Sequence, residues 1–143
     1  MTNNDNLVLY AFTYPNYIKL SKYENKPIPV KFGDTTQGLE DGLTIDESGK
    51  LRISQQGGSA EAYKKIIIGT WGVPKELISR DYQVHNVWKK QGLRPKDLNG
   101  DGQEWFYLGK DLDQVKDKIK STIETFGASS DVKLKLRKEQ QRT

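Results

Sequence analysis

The chain has no cysteine among its 143 residues. That excludes disulfides, thiolate nucleophiles and thiolate-bound zinc, and it fits a reducing compartment. Long apolar runs are also missing. The longest aliphatic stretch is Ile66-Ile67-Ile68, far short of the roughly 20 residues a membrane-spanning helix needs. The opening residues, MTNNDN, carry neither a basic start nor an apolar segment, so they do not read as a secretory signal. A cytoplasmic protein without membrane partners is the expectation.

What is present points to a folded, soluble domain. Hydrophobic residues make up 34% and charged residues 29% of the chain, and three Trp and seven Tyr argue against disorder. The length suits one domain, placed at residues 1–127, followed by a basic tail or linker over 128–143. The net charge is +4 with a pI near 9.1. Residues 1–60 carry six Lys/Arg against seven Asp/Glu, whereas residues 110–143 carry nine against six. The basic excess is thus in the second half, compatible with a polyanion partner but too mild to identify one.

Leu7 to Phe12, LVLYAF, reads as a buried first strand. Thr13 to Lys26 is polar, with Tyr14, Tyr17 and Tyr23 interleaved with Lys19, Lys22 and Lys26, and reads as a long loop. Pro27 and Pro29 then introduce a second strand around Val30-Lys31-Phe32. Residues 34–50 read as loop with at most a turn of helix, and Leu51 to Gln56 as a short helix. Ile66 to Trp71 is the clearest strand. The pattern predicts a helix from Pro74 to Gln91, stopped by Gly92. A strand is expected at Glu104 to Leu108. A last helix is expected from Asp111 to Gly127, opened by a capping box between Asp111 and Gln114. The expected fold is α+β, a small, mainly antiparallel sheet of three to four strands flanked by helices.

One residue breaks the helical pattern. Leu77, Asp81, Val84 and Trp88 fall on one face of the helix expected from Pro74, which puts a carboxylate in an apolar stripe, and His85 follows one turn later. An unpaired buried carboxylate costs several kcal/mol, so Asp81 needs an ion-pair partner or a bound cation. Pairing with His85 or an arginine is the bland explanation, and taken alone the better one.

The order of the other residues bears on that choice. Val8-Leu9-Tyr10, then Lys31-Phe32-Gly33, then Arg52 in RISQQ, then KKIIIGTW, then Asp81 with His85 four residues on, then Glu104-Trp105-Phe106, follow one another along residues 7–108. This series resembles the GIY-YIG nuclease superfamily in its phage-type branch. Tyr10 stands at the tyrosine of the first signature tripeptide and Gly33 at the glycine of the second. Lys31 replaces the second tyrosine, Val8 the first glycine, and Asp81 the usual glutamate.

The resemblance implies hydrolysis of DNA phosphodiester bonds with one Mg²⁺ or Mn²⁺ held by Asp81. It implies that Arg52 faces the phosphate oxygens and that Tyr10 orients or deprotonates the attacking water, with Lys31 or His85 assisting. Glu104 would steady the site or a water. Tyr17, Lys19 and Lys22, with Lys89 and Lys90, are the expected DNA contacts, since aromatics mixed with cations suit nucleic acid. A solvated loop of amphipathic tyrosines explains the first three equally well. A catalytically weak DNA-binding module and a small protein-interaction domain are the competing readings.

Two further motifs carry less. Asp97, Asn99 and Asp101 with Gly102 open like a calcium loop, but the acid required at position 12 falls on Leu108, so an ordinary turn is expected. Leu134 to Gln140, LKLRKEQ, is similar to the lead-in of a superfamily 2 helicase domain, which makes an attached helicase the expected covalent partner. An ordinary basic tail is the alternative.

Overall fold

The computed structural model describes residues 5–56, 64–95 and 104–127. Eight elements alternate along the chain: β1 (Asn6–Thr13), α1 (Pro15–Glu24), β2 (Pro29–Thr35), α2 (Ile45–Ser54), β3 (Ile66–Pro74), α3 (Tyr82–Lys90), β4 (Trp105–Tyr107) and α4 (Leu112–Gly127). The strands form one antiparallel sheet in the order β3-β1-β2-β4. The α+β class and the four-stranded sheet are as the sequence predicts. The expected calcium-like turn and the helicase-like tail lie outside the described residues.

Side chains alternate across β1 and split the molecule into two layers. Leu7, Leu9 and Ala11 join Val30, Phe32, Val84, Trp88, Phe106, Val115 and Ile119 in the main core, beneath α3 and α4. Tyr10 and Phe12, from the same strand, join Ile53 and Trp105 in a smaller cluster on the α2 side. Buried polar groups are bonded. Trp88 Nε1 donates to Thr122 Oγ1 at 3.1 Å, and Thr13 Oγ1 to the Pro29 carbonyl at 2.7 Å.

Four local expectations are corrected. The segment from Thr13 to Lys26 is not a loop: residues 15–24 form α1. Pro15 opens it at a position where a missing N–H costs nothing, and Asn25 closes it in the left-handed region at φ 55°. Its inward positions are Tyr14, Tyr17, Ile18 and Ser21, a helical spacing concealed by tyrosines and a serine. The stretch expected to be loop to residue 50 contains most of α2. That helix starts at Ile45 behind a full capping box, in which Thr44 accepts from the Glu47 amide and Glu47 accepts from the Thr44 amide.

The helix expected from Pro74 begins only at Tyr82, because Pro74 is still in β3, opposite Asn6. At α4, the Asp111 half of the expected box is present, accepting from the Gln114 amide at 2.8 Å. The Gln114 side chain instead accepts from the Lys110 amide at 2.9 Å.

Candidate functional site

α2 is seated tightly on β1 and β3. A methyl group on Gly49 would lie 2.4 Å from Thr70 Cγ2, and Ile45 lies over Gly72. Asp46 accepts from Thr70 Oγ1 at 2.9 Å. This seating brings the end of α2, with Arg52 and Gln56, to Tyr10. Gln56 lies in the turn just past the C-cap of α2, four residues beyond Arg52.

Tyr10 is paired with Gly33 across β1 and β2, and its ring crosses that glycine. A Cβ at Gly33 would stand 2.4 Å from the Tyr10 hydroxyl, so only glycine lets the phenol reach this place. The hydroxyl is thereby carried toward the outer edge of β2. β4 pairs with β2 only from Pro29 to Lys31, leaving Phe32, Gly33 and Asp34 beyond the ladder.

The start of α3 fills that gap. His85 is buried, and its Nε2 lies 2.8 Å from the Phe32 carbonyl. A carbonyl can only accept, so Nε2 carries the hydrogen and donates it. The ring also packs against Phe106 and Phe32, with centroids at 5.0 and 6.0 Å. His85 therefore closes a sheet edge where the strand partner has run out.

Asp81 sits just before α3. Its amide donates to Asp34 Oδ2 at 2.7 Å, and Arg80 Nε donates to the same oxygen at 3.1 Å. The side chain of Asp81 makes no capping bond; the exposed start of the helix is closed by Gln83, which accepts from the Ser79 and Arg80 amides. Its carboxylate lies 3.9 Å from His85 Nε2. Burial pushes the Asp81 carboxyl above its ordinary range, the Asp34 charge adds to this, and His85 opposes it. Asp34 is not among the sequence candidates; its place directly after Gly33 at a strand end is the only signal it carries.

Lys31 is half-buried. Its Nζ donates to Gln56 Oε1 at 2.9 Å and stands 3.5 Å from Glu104. Gln56 Nε2 in turn donates to the Tyr10 hydroxyl oxygen at 3.3 Å. The Tyr10 phenol is pushed up to about 12, chiefly by burial. The Arg52 guanidinium opposes that through its positive charge, while the Glu104 and Asp81 charges reinforce it. Tyr10, Lys31, Arg52, Gln56, Asp81 and Glu104 thus act on one another, and His85 adjoins them through Asp81. Gln56 escapes the sequence reading of the site, although it lies only four residues beyond Arg52.

The expected DNA contacts divide. Tyr17 packs edge-on against Trp105 and Tyr14, at 5.3 and 5.5 Å between centroids, within the cluster that includes Tyr10. Lys19 and Lys22 are exposed on α1. Lys89 and Lys90 are exposed at the far end of α3, the helix that covers the main core. A cavity of about 420 Å³, lined by Asp34, Thr36, Lys75, Ser79 and Arg80 among others, adjoins the Asp81 end of the site. Tyr10, Lys31, Arg52 and Glu104 do not line it.

Among the described residues, no three or more histidines and acids converge as a metal cage. The residues present do fit a looser site. Mg²⁺ and Mn²⁺ accept one carboxylate and keep their waters. Asp81 offers a half-buried carboxylate raised above its ordinary range by burial first and by the Asp34 charge second, a setting that a cation relieves.

No protein-family model, no curated protein and no solved structure matches the chain. Among the described residues, no helix is long and apolar enough to cross a membrane.

Proposed function

We propose that the chain is a metal-dependent DNA endonuclease of the GIY-YIG type. One observation carries this reading. The Tyr10 hydroxyl, on the central strand, lies within the electrostatic reach of Arg52 from α2, Asp81 from the start of α3, and Glu104 from the approach to β4. These residues are far apart in sequence, and they are the ones the motif order selected.

The parts suit phosphodiester hydrolysis. Arg52 supplies a permanent charge and a planar donor fork to phosphate oxygens. Tyr10 keeps its hydrogen at neutral pH, so it acts through hydrogen bonds and not as a base. Lys31, held by Gln56 and Glu104, contributes positive field from a fixed place. Asp81 would hold Mg²⁺ or Mn²⁺, which polarises the scissile phosphate when bound. On this reading the domain works on DNA in the cytoplasm, and the helicase-like motif of residues 134–140 makes an attached helicase its partner.

The test is nicking of supercoiled plasmid with Mg²⁺, with Mn²⁺ and with chelator. Nicking that needs the metal and disappears in Arg52→Ala and Asp81→Asn is the expected result. A second reading, a DNA-binding module without catalysis, is favoured by one feature: a lysine tied to Gln56 and Glu104 stands where the resemblance expects a tyrosine. DNA affinity that falls with added salt, without nicking in any metal, would select it.

A further inference from the structure

Gln56 joins two groups of the site, and chemistry dictates the direction of each bond. An ammonium has donors only, so Lys31 must take the amide oxygen of Gln56. The amide NH₂ is then turned toward Tyr10, and the phenol oxygen has to accept. The positive charge of the Arg52 guanidinium acts on the same phenol. Gln56 thus occupies one lone pair of the phenol oxygen. Its single hydrogen cannot point at the Gln56 amide and is left to be donated elsewhere.

We infer that Gln56, oriented by Lys31, sets Tyr10 as an outgoing hydrogen-bond donor, so that Tyr10 holds a phosphate oxygen of the nucleic acid and does not take the proton of the attacking water. The identity of that oxyanion rests on the nuclease reading above; the direction of the bonds does not. Phosphodiester oxygens are pure acceptors, which a phenol that keeps its hydrogen can serve and a general base cannot. Gln56 is thus a positioning residue. Its half-buried location just past the end of α2 makes it replaceable without opening the core.

Gln56→Glu inverts the arrangement. A carboxylate accepts from both neighbours, so the Tyr10 hydrogen turns inward and is lost to the substrate. The experiment measures binding of a short duplex DNA to the full chain in chelator, by fluorescence anisotropy, for wild type, Tyr10→Phe, Gln56→Glu and the double variant. Tyr10→Phe is expected to weaken binding about tenfold, the scale of one hydrogen bond to a charged group. Gln56→Glu is expected to cost several-fold more when Tyr10 is present than in the Tyr10→Phe variant, where only its added charge acts. Gln56→Leu, which adds no charge, serves the same cycle if Gln56→Glu does not fold.

Equal losses with and without the Tyr10 hydroxyl, or unaltered binding by Tyr10→Phe, would overturn the inference. Coupling between the two positions in a protein that cleaves nothing in any metal would keep the inference and remove the nuclease reading. Cleavage by a protein without such coupling would do the reverse.

Discussion

Leu9 and Tyr10 are neighbours on the central strand, yet they face opposite worlds. Leu9 points into a layer of aliphatic and aromatic side chains, in which Phe32, Trp88 and Phe106 meet edge to face with centroids 4.8 and 5.2 Å apart. Tyr10 points into a layer where Lys31, Arg52, Gln56 and Glu104 surround a few buried rings. The first layer is built by exclusion of water and tolerates little change of volume. The second is held by directed bonds and opposed charges, an arrangement that costs stability and offers chemistry. One sheet therefore carries an apolar packed layer on one side and a polar, charged layer on the other.

The sharpest way to break this contrast is to exchange the consequences. Trp88→Ala, on the apolar side, should lower stability by about 3–5 kcal/mol in urea unfolding. Arg52→Ala, exposed on the other side, should leave the melting temperature nearly unchanged while lowering cleavage by roughly 10²–10³-fold, the loss typical of one preorganised donor. A large loss of stability from Arg52→Ala would remove the distinction. Gly33→Ala should imitate loss of Tyr10, because the added carbon would stand 2.4 Å from the phenol oxygen and push the ring out of place, and plasmid nicking should fall accordingly while the fold survives.

A smaller effect concerns pH. The Asp81 carboxyl is raised by burial and by Asp34, so the folded chain binds that proton more tightly than the unfolded chain. This contribution favours the folded state in acid and is lost as pH rises through the carboxylate range. Asp81→Asn should therefore melt above wild type near about pH 8, with the advantage shrinking near about pH 4, as calorimetry can check. A variant that is less stable at the higher pH would contradict the assigned environment. Smallest is the contribution of single lysines. If DNA approaches the Tyr10 layer, replacing Lys19 and Lys22 should reduce the salt dependence of binding by about 1–2 in log–log slope, and replacing Lys89 and Lys90 should not.

The layered architecture is legible in the sequence because strands such as LVLYAF and IIIGTW combine β-branched and aromatic residues, and because Leu112, Val115, Ile119 and Ile123 keep helical spacing. α1 is hidden because its inner face is made of tyrosines and a serine, residues that read as polar until they pack. α2 reads short because Ser48 and Gly49 look like loop, although Gly49 is what lets the helix approach Thr70. α3 reads as starting too early because Pro74, a good first helical residue, instead ends β3. For the site, the motif order selects residues that the fold brings together. Gln56 and Asp34 stay invisible, because their roles depend on which side chains the fold sets beside them, and no spacing encodes that.

The account depends on Tyr10, Arg52 and Asp81 serving one reaction at one place. Plasmid nicking by the purified chain, with and without Mg²⁺ or Mn²⁺, examines that claim most directly. Metal-dependent nicks from wild type, absent from both Arg52→Ala and Asp81→Asn in proteins that still melt cooperatively, are the predicted result. Undiminished cleavage by Arg52→Ala, or intact plasmid with wild type in every metal, would contradict it.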